Sequence, residues 1–179
     1  MNVRETPFEG LLLLEPEVFA DERGFFLESW SRRLFAEAGL PLDFVQDNHS
    51  YSVREGTLRG IHFQRGAFAQ TKLVRCVTGA VLDVAVDLRP GSATRYRHFA
   101  ALLSEENRKQ LLIPAGFGHA FLTLTDGVHF LYRTDRPYAP QAEGAIRWND
   151  PRLAIDWGIE DPILSAKDRA APLLEDNII

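Results

Sequence analysis

The stretch "TKLVRCVTGAVLDVAVDLRPGS", Thr71 to Ser92, decides how the chain folds. It reads as two β-runs with punctuation between them. Residues 72–77 form one run, Thr78-Gly79 turns the chain, residues 80–88 form the next, and Pro90-Gly91 ends it. Alternation sorts the side chains by face. Lys72, Val74 and Cys76 share one face of the first run. In the second, Leu82, Val84, Val86 and Leu88 share one face, with Asp83, Ala85 and Asp87 on the other.

Similar short runs recur on both sides. Strand candidates are 10–14, 25–30, 44–47, 57–64, 96–103, 110–113, 119–125 and 128–133. Helix signals are few. "SRRLFAEAG" (31–39) has a Ser N-cap and a Gly stop. "SEEN" (104–107) predicts a single turn, and "SAKDRAA" (165–171) a short helix. Many short strands and few helices predict an all-β sandwich or closed barrel such as a jelly roll.

The chain has 179 residues, 45% hydrophobic and 25% charged, which suits one domain (1–179) with a sizeable core. A net charge of −5 supplies no basic field for nucleic acid. One cysteine, Cys76, excludes an intrachain disulfide. "LLLL" (11–14) is far too short to span a bilayer, and no secretory pattern opens the sequence. The expectation is a cytoplasmic, soluble protein with no membrane association.

Polar groups inside the strand-like runs carry the functional signal. In "RGIHFQ" (59–64), Ile61 and Phe63 oppose Gly60, His62 and Gln64. His62 and His119 lie on different strands and could meet in a barrel. Two-histidine metal sites usually add another His or a carboxylate. Here Gln64 follows His62 by two, and downstream stands Lys72, whose ammonium would repel a cation. A lone buried His is most often a hydrogen-bonded core residue, and a lone Lys is usually solvated. His62, Lys72, His119 and Tyr132 facing inward together would be a different matter.

These types suit proton removal next to a carbonyl. His is the base with a pKa near neutrality. A lysine ammonium stabilises the developing enolate oxygen. Tyr returns the proton from the opposite face. The imidazole needs an orienting carboxylate, and Asp83, Asp87 and Asp168 are all candidates. A second group suits an anion: Arg23 beside Gly24, and Arg59, which reaches the same cavity as His62 only if Gly60 bends the strand or Arg59 sits at the mouth. Taken singly, each arginine reads as a surface salt bridge. Gln46, Asp47 and Asn48 offer donors and acceptors. Tyr138, between two prolines, could stack on a base or simply cap a loop.

Eight segments follow one another in an order that resembles the dTDP-4-dehydrorhamnose 3,5-epimerase family. They are "DERGFFLES" (21–29), "VQDNHSYS" (45–52), "TLRGIHFQ" (57–64), "AQTKLVRCVTGAVLDVAVDLRPGS" (69–92), "LLIPAGFGHAFL" (111–122), "YRTDRPYAP" (132–140), "EGAIRWNDP" (143–151) and "LSAKD" (164–168). The likeness runs from about residue 8 to about residue 169. It implies a cupin-type jelly roll (a double-stranded β-helix barrel) with a few short helices, a homodimer, and no metal or other cofactor. The implied substrate is a dTDP-linked 4-keto-6-deoxy sugar, inverted at C3 and C5. Residue by residue, the resemblance makes His62 the base, Tyr132 the acid and Asp168 the carboxylate that orients His62. Lys72 and His119 would lie by the keto sugar, and Arg23 and Arg59 by the diphosphate. Glu28, Gln46, Asp47, Asn48, Glu143 and Lys167 would contact nucleotide or sugar. Tyr138 would stack on the base, and Phe26 would line the pocket. Two departures stand out. Ala120 follows the second histidine where relatives usually have Gly, and "YRHFAALLS" (96–104) lacks a customary Trp. Three other functions share these features: a single-site epimerase, a non-catalytic sugar-nucleotide binder, and a metal-dependent cupin enzyme.

Overall fold

A computed structural model describes residues 1–174; residues 175–179, the end of the expected domain, lie outside the described residues. The strands are β1 (Asn2–Glu5), β2 (Leu12–Glu15), β3 (Val18–Asp21), β4 (Gly24–Leu27), β5 (Gln46–Ser52), β6 (Leu58–Gln64), β7 (Lys72–Thr78), β8 (Ala80–Asp87), β9 (His98–Ser104), β10 (Gln110–Ile113), β11 (Phe117–Thr123), β12 (Val128–Thr134) and β13 (Glu143–Ala145). Two short helices, α1 (Arg32–Glu37) and α2 (Ala166–Arg169), complete the elements named here.

Two antiparallel sheets face each other. One runs β1-β2-β10-β7-β12-β5 and the other β13-β6-β11-β8-β9. Between them pack Val74 and Cys76 of β7, Phe130 of β12 and Leu111 of β10, against Ala85 of β8, Phe121 of β11 and Leu103 of β9. Both sheets are also covered from behind. Val84, Val86 and Leu88 meet Ile146, Leu153 and Trp157 of the C-terminal segment. Leu73 and Leu112 meet Phe35 of α1, with Trp30 and Phe44 alongside. This is the all-β jelly roll expected from the pattern. β8 shows why its alternation was informative: the Leu/Val face packs on the back layer. Its other face turns Asp83 and Asp87 inward, both with no exposed surface.

Several element limits differ from the sequence-based expectations. The strand expected at 44–47 is Gln46–Ser52, because its inward side chains are polar and display no apolar alternation. The strand expected at 25–30 ends at Leu27 and pairs with the unexpected β3. The β3–β4 ribbon belongs to neither large sheet, so no buried face imprints a pattern on it. "SEEN" is the single turn expected, following β9 and closed by Asn107 Oδ1 accepting from Ser104 N at 3.1 Å. The expected Ser31 cap is present, its Oγ accepting from Leu34 N at 3.2 Å, and the expected 165–171 helix is capped as well, by Ser165 Oγ accepting from Asp168 N at 3.0 Å.

One irregularity positions the site. β11 pairs His119 with His62 but Phe121 with Arg59. Gly60 and Ile61 therefore oppose Ala120 alone, a β-bulge of one extra residue. The bulge resets the alternation, so Arg59 and His62 face the same side. Gly60 adopts a φ of +126°, and a Cβ there would come within 2.4 Å of the Ala120 Cβ. Only glycine suits both the backbone and the close approach.

Candidate active site

A cavity of about 420 Å³ opens between the sheets. Each wall contributes chemistry: Arg59 and His62 from β6, Lys72 from β7, His119 from β11 and Tyr132 from β12. Glu143 begins β13, and Lys167 and Asp168 sit on α2. The expected convergence of His62, Lys72, His119 and Tyr132 is present. Alternation delivers Lys72 and Tyr132, and the Gly60 bulge adds Arg59.

Two imidazoles are each held by a carboxylate. His62 Nε2 lies 2.5 Å from Asp168 Oδ1. His119 Nε2 lies 2.8 Å from Asp83 Oδ2, in a buried pair. The third candidate carboxylate, Asp87, serves structure instead. Its oxygens accept from Arg89, from Ser92 Oγ at 2.6 Å and from Thr94 Oγ1 at 2.7 Å. The geometry thus chooses Asp168 among the three. It reaches His62 because the preceding segment pairs with the start of β6. Leu58 N donates to Ile163 O at 3.0 Å, and Ile163 N donates to Gly56 O at 2.8 Å.

The electrostatics follow from burial and neighbours. Burial lowers the Lys72 pKa from 10.5 to about 8, although Asp83 and Glu143 pull it upward. Burial raises the Tyr132 phenol, opposed by the positive charge of Arg59. Burial also pushes the Asp168 carboxyl upward, but hydrogen bonds from His62 and Ser165 outweigh it and hold Asp168 below the usual range. Glu143 is likewise lowered: burial opposes this, and Lys167, Tyr138 and His62 overcome it. Glu143 forms an ion pair with Lys167.

The other expected residues divide. Arg59 donates to Ser52 Oγ at 3.1 Å and Tyr51 O at 2.9 Å while lining the cavity. Tyr138 lines the rim, 48% exposed. Gln46 Oε1 accepts from Tyr138 N at 2.9 Å, and Asn48 Nδ2 donates to Tyr132 O at 3.3 Å. Both therefore support cavity residues. Asp47 turns to the opposite face and pairs with Arg133 at 3.3 Å, because a strand alternates. Arg23, Phe26 and Glu28 are not brought to this cavity. Arg23 is 85% exposed and paired with Asp21, on the protruding β3–β4 ribbon, and Phe26 is 64% exposed. Ala120 is also clear of the cavity: its side chain packs in the back layer against Gly60.

Sequence reasoning overlooked Ser50, Gln70 and Ser165, which also line the cavity. Ser50 continues the inward face of Gln46 and Asn48. Ser165 was visible only as the first residue of the short helix expected at 165–171.

A jelly roll enclosing carboxylate-held histidines, a low-pKa lysine and a half-buried phenol defines an acid–base enzyme of the cupin type. Comparison with known proteins narrows the class. The profile of the dTDP-4-dehydrorhamnose 3,5-epimerase family matches residues 5–176. The chain is 50% identical over 181 residues to the dTDP-4-dehydrorhamnose 3,5-epimerase of Salmonella typhimurium, covering 100% of this chain and 98% of that one. The crystal structure of the Bacillus anthracis enzyme of that name, with TDP and PPi bound, superposes with a TM-score of 0.94 at 46% identity, over 97% of this chain and 99% of that one. A Legionella pneumophila enzyme in complex with dTDP-4-keto-L-rhamnose matches with a TM-score of 0.91 at 43% identity, over 96% and 92% of the chains. The protein belongs to the dTDP-4-dehydrorhamnose 3,5-epimerase family.

Proposed function

We propose that the protein inverts C3 and C5 of dTDP-4-dehydro-6-deoxy-D-glucose to give dTDP-4-dehydro-L-rhamnose. The observation that carries this is the His62–Asp168 pair at 2.5 Å, in one cavity with Lys72 and Tyr132. Both carbons flank the C4 ketone, so their protons are acidic. Asp168 occupies one ring nitrogen of His62 and leaves the other to take the proton. The electron pair moves onto the ketone oxygen as an enolate. Lys72, cationic at neutral pH, neutralises that charge. Tyr132, neutral and half-buried, delivers a proton to the far face of the ring; exchange with solvent then takes the proton from His62 and returns one to Tyr132, and the cycle repeats at the second carbon. Arg59 suits the diphosphate. Glu143, Lys167 and Tyr138, linked at the rim, suit the nucleotide or the sugar, with Tyr138 stacked on the base.

No cofactor has a part in these steps. The donor set argues against a metal between His62 and His119, because the Lys72 ammonium lines the same space and would repel a cation. Among the described residues, no three His, Cys, Asp or Glu side chains gather to hold an ion.

The proposed assembly is a homodimer of one-domain subunits in the cytoplasm. Phe19, Phe25 and Phe26 are each more than half exposed on the β3–β4 ribbon, an apolar surface that a second copy would cover. That copy would also give Arg23, Phe26 and Glu28 a cavity to reach. Light scattering of the purified protein tests the dimer. No helix among the described residues is long and apolar enough to cross a membrane.

The deciding experiment is product NMR in D₂O with dTDP-4-keto-6-deoxyglucose. Deuterium should enter at C3 and C5. Label at one carbon only would replace this reading with a single-site epimerase, and no label would leave a sugar-nucleotide binder.

A further inference from the structure

We propose that Ser165 is a positioning residue for the proton transfer, fixing the Asp168 carboxylate that aligns His62. The proposal rests on the catalytic reading above and extends it by one residue.

Ser165 has two jobs at one oxygen. It is the N-cap of α2, and its Oγ accepts from Asp168 N at 3.0 Å. The same hydroxyl donates to Asp168 Oδ2 at 2.8 Å. Asp168 Oδ1 then faces His62 Nε2. One carboxylate oxygen is thus held by the serine and the other by the imidazole. An aspartate carboxylate rotates freely about its last bond unless both oxygens are engaged. Ser165 supplies the second engagement, so the oxygen facing His62 is set before substrate arrives.

The local sequence explains the arrangement. "SAKD" has the S-x-x-D spacing of a helix start, which places the third residue after the cap back over the cap itself. In an ordinary capping box the acidic residue reaches the cap's backbone N–H. Here it keeps the hydroxyl and extends its free oxygen to a histidine on another strand. Helix α2 has only four residues, so tertiary contacts and this cap set its orientation. The same turn directs Lys167 at Glu143.

The test measures D₂O exchange and turnover in wild type, Ser165→Ala, Ser165→Thr, His62→Ala, Asp168→Ala and the Ser165→Ala/Asp168→Ala double variant. Losing a hydrogen bond to a charged group should lower kcat about tenfold in Ser165→Ala. KM should stay within about twofold, and threonine, which keeps the hydroxyl, should restore most of the rate. In the Asp168→Ala background the serine has nothing to hold, so its removal should cost no further rate. Wild-type kcat in Ser165→Ala overturns the proposal. So does failure of threonine to rescue, or an equal loss in both backgrounds, which would mark a merely structural cap. If wild type itself matches His62→Ala in showing no exchange, the catalytic reading falls and this proposal with it.

Discussion

Asp168 and His62 stand 106 residues apart in the chain and 2.5 Å apart in the fold. The pair joins a β6 side chain to a four-residue helix near the C-terminal end. Neither partner serves the other unless the 159–165 segment runs back to the start of β6, which the Thr57–Ile163 bridge ensures.

Removing the base should separate chemistry from binding. His62→Ala should lower kcat by about 10² to 10⁴, the usual worth of a positioned base. Affinity for dTDP should stay within a few-fold, because Arg59, Glu143 and Tyr138 are untouched. Calorimetry with dTDP beside a turnover assay checks both halves. Near-normal turnover would remove His62 from the mechanism.

Tyr132→Phe deletes only a hydroxyl. Since protonation would suffer rather than abstraction, solvent deuterium should still enter, while inverted product falls by about 10² or more. NMR of the recovered sugar reads both. Loss of inversion at one carbon alone would confine the tyrosine to one of the two steps.

Lys72 gives activity and stability opposite pH slopes. With a folded pKa of about 8, the ammonium that would stabilise the enolate disappears above pH 8, so kcat should decline there. The sign for stability is the reverse. The unfolded lysine keeps its proton to about 10.5, so between pH 8 and 10.5 the unfolded chain binds more protons, and stability rises with pH. The depressed pKa corresponds to about 3 kcal/mol over that window. Urea melts of wild type against Lys72→Met should reveal this slope only in wild type.

Asp87 predicts a purely structural loss. Burial pushes its carboxyl up, but Arg89, Ser92 and Thr94 together hold it at about 2. Its contribution is present above pH 3.8 and disappears as pH falls toward 2. Asp87→Ala should cost about 3–5 kcal/mol by removing the buried carboxylate to which Arg89, Ser92 and Thr94 all donate. Because Asp87 does not line the cavity, kcat at pH 7 and low temperature should match wild type. Chemical denaturation and turnover of the same preparation check the two statements.

Much of the architecture was legible because alternation writes itself wherever a strand buries at least one apolar face. β7, β8 and β10 emerged nearly to the residue. β5 did not, since its inward side is Gln46, Asn48 and Ser50, polar because they serve a cavity. The β3–β4 ribbon was half missed because it buries nothing in this chain. The same rule predicted that Lys72 shares a face with Val74 and Cys76, and Lys72 lines the cavity.

What the amino-acid order determined alone was therefore a set of strand faces, two short helices, one with its cap, and a collection of residue types suited to enolate chemistry. Which carboxylate meets which histidine was decided by packing. Asp83, Asp87 and Asp168 are equivalent along the chain, yet β11 gives the first to His119, a turn wraps the second with Arg89, Ser92 and Thr94, and α2 presents the third to His62. Arg59 likewise enters the cavity only through the Gly60 bulge. The physical reason is range. Face and cap depend on neighbours a few residues away, whereas a pairing across 106 residues depends on how two separated segments pack.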